Sequence, residues 1–141
     1  MDSFEKVYEE KLSQVSTQLK KKNFVGCYFI CSDLTKLSVT FSAKEHVLIS
    51  EFLEYLFSNL KETIDNYNIS EDTTDKITSQ IDNFIEGLIP FLSGINTNPD
   101  LENEKINIYN HMRDIRYLVT DFQITSRVTK GQGRKPRFMF E

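Results

Sequence analysis

The chain has 141 residues and a mass of 16.5 kDa, with 39% hydrophobic, 12% aromatic and 27% charged residues, the size of one domain and too short for two ordinary ones. Eleven Phe and six Tyr supply bulky core material, which excludes disorder of the whole chain, and five Gly and three Pro exclude a collagen-like one. The formal net charge of −4 is unevenly distributed along the sequence.

Phe4, Val7, Tyr8, Leu12, Val15 and Leu19 recur at steps of three and four with Lys and Glu between them, the spacing of an amphipathic helix. Ser3 is its expected N-cap, and Lys20, Lys21 and Lys22 suit a helix C-terminus before a stop at Asn23. From Phe24 to about Phe41 apolar residues surround the axis rather than striping it. The expectation is a second helix, central in the fold. Phe24 to Cys31 is also rich in strand formers, but continuation through Leu34 and Leu37 favours helix.

Ser42-Ala43-Lys44-Glu45 matches a capping box, so a third helix is expected from Ala43 to Asp65 or Asn66. Its apolar surface, Val47 to Ile64, is wide enough for two neighbours. Asn66 to Asp72 reads as a loop, followed by a fourth helix carrying Ile77, Ile81, Phe84, Ile85, Leu88 and Ile89, with a kink expected near Gly87 and Pro90. Asn98 as N-cap and Pro99 at the first helical position open a fifth helix. Leu101, Ile108, Met112, Ile115, Val119 and Phe122 form a heptad seam along it, expected to face the domain's own core, with a seam between two copies as the alternative.

The expected fold class is therefore all-α: a four- to five-helix bundle or short helical-hairpin array over residues 1–126, closed by an extended basic and aromatic C-terminal tail over 127–141. Residues 1–126 carry 12 Lys and Arg against 20 Asp and Glu, whereas 127–141 carry 5 against 1. Between 45 and 104 only Lys61 and Lys76 oppose 13 acidic residues, so the third and fourth helices should present a negative face. In the tail, Arg134, Lys135, Arg137, Phe138 and Phe140 are the candidate partner-binding residues, because aromatic anchors beside arginines are what groove-binding peptides use. Arg113, Arg116, Arg127 and Lys130 are candidate anion-binding residues.

Catalytic patterns are lacking. Neither His46 nor His111 stands in a catalytic spacing, and the glutamate and histidine three apart that a carboxylate-bridged di-metal bundle needs do not occur. Cys27 and Cys31 are flanked by Phe and Ile, which favours burial over zinc binding, and Gly131-Gln132-Gly133 lacks the context of a nucleotide loop. No cofactor is expected. The longest uncharged runs, 23–32 and 87–99, fall short of the ~20 apolar residues of a membrane helix, and the amino end is acidic where a secretory signal is basic. The expectation is a cytoplasmic, non-enzymatic interaction protein that docks its tail onto another copy, giving a homo-oligomer, or onto a partner protein. The alternative is a nucleic-acid-binding protein, with the tail's cations on the phosphates of short or single-stranded RNA and Phe138 stacking on a base.

Overall fold

The computed structural model describes residues 3–67, 69–95 and 97–128, the side chains of Arg127 and Val128 excepted. These residues form five helices and no strand: α1 Phe4–Lys20, α2 Phe24–Thr40, α3 Lys44–Asn66, α4 Glu71–Ser93 and α5 Leu101–Val128. No helix among them is long and apolar enough to cross a membrane. Helix, not strand, is the state of the ambiguous segment Phe24 to Cys31, and of Tyr117 to Thr125, which is also rich in strand formers.

Two three-residue turns, 21–23 and 41–43, link the first three helices by one shared device. The Asn23 amide donates to the Gln18 carbonyl and the Lys22 amide to Leu19; likewise Ala43 donates to Ser38 and Ser42 to Val39. These paired bonds satisfy the last carbonyls of α1 and α2 and require a left-handed residue between them. Lys22 at φ 58° and Ser42 at φ 54° fill that place without glycine. The capping box expected at Ser42 is accordingly absent: Ser42 ends α2 instead of starting α3, whose N-cap is Ala43 with no side-chain bond. Ser3, Asn23 and Ser70 do cap, accepting from the amides of Lys6, Gly26 and Thr73. Asn98 accepts from Asp100, and α5 begins at Leu101, two residues later than its Pro suggests.

Each helix packs on two others in the circular order α1, α2, α3, α5, α4, and α4 closes back on α1. Ser93 to Glu9 at 3.1 Å and Lys22 to Asp75 at 2.6 Å set α1 and α4 antiparallel. Lys105 to Glu45 at 2.9 Å and Gln123 to Asn59 at 3.2 Å set α3 and α5 parallel. The N-termini of α1, α3 and α5 therefore share one end of the bundle, the basal end, while α5 terminates at the opposite, apical end.

The core is one continuous cluster. Leu12, Leu34, Leu53, Phe57, Ile81, Phe84 and Ile85 are buried at its heart. Ile115, Val119 and Phe122 bury the heptad seam of α5 against it, with Leu101, Ile108 and Met112 packed alongside, so that seam faces the chain's own interior. The wide apolar surface of α3 meets α2 and α5 as its neighbours, as its breadth suggested. Helix α4 runs unbroken through Gly87 and Pro90.

The expectation for α2 fails as well. Helix α2 is peripheral, not central: it buries Phe24, Cys27, Cys31, Leu34 and Ser38 on one side, against α1 and α3. Its place in the ring gives it only those two principal neighbours, so among the described residues no other helix covers the apolar residues on its far side.

Candidate interaction site

Val25, Phe29, Ser32, Lys36 and Val39 succeed one another at steps of four and three, which aligns them along a single face of α2. This is the outward face. Phe29 is 61% exposed and Val39 59%, and Phe41, just beyond the helix end, is 56% exposed.

The basal end of that stripe opens into a cavity of about 540 Å³. Phe4 and Glu5 of α1, Phe41 to Ala43 of the turn, Lys44 to His46 of α3, Ile95 and Leu101 line it. Its aromatic wall is built by packing: Phe4 stacks on Phe41 at 5.1 Å between centroids and meets His46 edge-on at 4.9 Å. Tyr8 also meets His46 edge-on at 4.8 Å, and its ring lies 5.8 Å from that of Phe4, so the three rings form one cluster. His46 is 5% exposed, yet its Nε2 has no hydrogen-bond partner among the described residues. Burial pushes its pKa down, so the imidazole is held neutral, while Glu5 and Glu45 oppose that shift. Glu45 itself is lowered by the hydrogen bond from the Lys105 ammonium, and Glu5 makes no ion pair among the described residues.

Of the residues singled out from sequence, Arg113 and Arg116 are exposed on α5. Arg113 lies 3.7 Å from its neighbour Asp114, and Arg116 places its guanidinium 5.3 Å from the Tyr55 ring centroid, a cation–π contact with α3. They diverge in role: neither ties α5 to an acidic residue of α3 or α4. Arg127 falls in the last turn of α5. Lys130, Arg134, Lys135, Arg137, Phe138 and Phe140 lie outside the described residues.

Glu51, Glu62 and Asp65 of α3 and Glu71, Asp72, Asp75 and Glu86 of α4 are all exposed, but α3 and α4 are not neighbours in the ring, and Lys61 pairs with Asp65 while Lys22 pairs with Glu71 and Asp75. Cys27 and Cys31 are buried free thiols. Among the described residues no group of three or more His, Cys, Asp and Glu stands together as metal ligands. His111 packs edge-on against Phe84 at 4.9 Å.

Sequence reasoning missed the α2 stripe and the basal cavity. The stripe had a signal, apolar residues on every side of the helix, which reads equally as a buried helix or as one with two sticky faces. The cavity had none, since it is assembled from three helix starts far apart in sequence. Comparison with known proteins finds no matching family model, no matching curated protein and no matching solved structure.

Proposed function

We propose that this chain is a non-enzymatic helical interaction protein, an adaptor, regulator or assembly factor, that docks its C-terminal segment 127–141 onto a second copy. The observation that carries this reading is the outward face of α2, where Phe29, Val39 and the adjoining Phe41 stand more than half exposed. Solvating such side chains costs free energy that a cover of apolar surface recovers, at about 25 cal/mol per Å². The tail carries aromatic residues that can supply that cover, and its charge is opposite to that of the body.

Light scattering of the full chain over a range of concentrations and salt tests the reading. The wild type should be larger than one protomer. Phe29→Ser, and separately Phe138→Ser with Phe140→Ser, should reduce the mass toward a single chain while leaving the circular dichroism unchanged. A wild type that is one protomer at every concentration rejects the proposal, and a large partner of different sequence that competes for Phe29 redirects it to the partner-protein form.

A second reading draws on the outer face of α5, where Tyr109, Arg113, Arg116 and Tyr117 are exposed together. Aromatic side chains among arginines are the chemistry of single-stranded RNA binding. Affinity for short RNA that falls steeply with salt would favour it, and absence of binding at low salt removes it.

A further inference from the structure

We propose that the basal cavity receives Phe138 of a second copy, with Arg137 of that copy on Glu5. This rests on the reading of the tail as a docking segment and adds where it docks and from which protomer. Three observations carry it. The cavity, about 540 Å³, has Phe4, Phe41, Ile95 and Leu101 on its apolar side and Glu5, Ser42, Lys44, Glu45 and His46 on its polar side, and ~300–1,000 Å³ is the size range of a binding pocket. Its polar groups include His46, buried with Nε2 unpartnered, which offers a hydrogen bond to the backbone of an extended segment. Glu5, with no cation of its own among the described residues, stands at the rim beside the apolar wall, matching the adjacency of Arg137 and Phe138 in the tail.

Reach favours the second copy. Leu101 lines the cavity and Val128 ends the same helix, so about 40 Å of α5 separates them at 1.5 Å per residue. The ten residues from Val128 to Phe138 span at most about 36 Å when fully extended. The segment must also leave the helix and turn toward α1, which shortens its useful length further. Phe138 would therefore enter its own cavity only with the segment at full extension and its ring stretched ahead, and docking on the second copy is the less strained arrangement. Two copies side by side and antiparallel bring the apical end of each next to the basal end of the other, and a twofold axis then exchanges both tails.

Two measurements on the full chain test this. In a charge swap, Glu5→Arg and Arg137→Glu should each weaken self-association about tenfold, and the double variant should recover to within about threefold of wild type. A photo-crosslinking benzoylphenylalanine in place of Phe138 should join two chains, with the linked peptide mapping to Phe4, Phe41 or Leu101. Association that persists unchanged in both single variants, or crosslinks that map elsewhere between chains, overturns the docking site while leaving self-association standing. Crosslinks to the cavity within one chain overturn the exchange. A wild type that never associates removes the underlying functional reading as well.

Discussion

The hydroxyls of Tyr8 and Ser50 meet at 2.6 Å in the buried core, and Tyr8 also donates toward the His46 carbonyl at 3.3 Å. Ser50 donates to that same carbonyl at 2.7 Å. Helix α1 is thereby tied directly to α3 across the bundle by a fully satisfied polar trio, and burial drives the Tyr8 phenol well above its usual pKa. Tyr8→Phe should cost about 1 kcal/mol, because Ser50 keeps its bond to His46. Ser50→Ala should cost about as much. The pair together should cost less than the sum of the two, since each removes a partner of the other. Urea midpoints of the four proteins measure this.

The left-handed turn residues give a prediction with the opposite sign. Ser42 holds φ 54° with a side chain that earns no capping bond. Ser42→Gly should stabilise the fold by about 1 kcal/mol, read as a raised urea midpoint, because glycine adopts that region without a Cβ clash. Lys22→Gly should gain less, since Lys22 also reaches Asp75 at 2.6 Å and Glu71 at 3.5 Å.

His46 sets an acid limit. Burial holds its folded pKa below the ordinary imidazole value of 6.5, so between the two values the unfolded chain binds a proton that the folded chain does not. Stability from this site is therefore full above about pH 6.5 and is lost as pH falls through the lowered folded value. Unfolding by urea at pH 7.5 and pH 5 should show wild type losing more stability than His46→Gln. Equal losses in the two proteins would contradict this account.

The thiols should be silent in the folded state. Desolvation pushes Cys27 up to about 12 and Cys31 well above its usual value, and Cys27 lies 3.5 Å from the Val15 carbonyl as a donor. Thiolate is the reactive form. Alkylation at pH 8 should label neither cysteine in buffer and both in denaturant. Rapid labelling of either in the native protein would place that helix face elsewhere.

Much of this architecture was legible because local and tertiary signals agree. Leu12, Val15 and Leu19 lie at helical spacing and are all buried; Ser70 precedes two acidic residues and does cap α4. The errors arose where one residue serves two helices or where neighbours are set by topology. Ser42 satisfies the pattern of an N-cap, but the three-residue turn makes it the terminator of the previous helix. Phe29 and Val39 have the hydrophobicity of core residues, but a ring of five gives α2 cover on one side only. Of the basal cavity, Phe4 and Leu101 were recognised as helix-face residues, but no linear pattern places position 4 against position 101. The tail residues Arg134 to Phe140 were conspicuous by charge and aromatic content alone.

The two three-residue turns also bear on how the chain is built. Helices α1, α2 and α3 are joined by near-neighbour connections, so they can pair as soon as Asn66 has left the ribosome, whereas α5 must find α3 across some 60 intervening positions. The apolar seam of α5 is sealed after those three helices have met. Until then the nascent protein displays both the unfilled slot for α5 and the bare flank of α2, and the interval between those two events is when it is most exposed to capture by a chaperone or to aggregation.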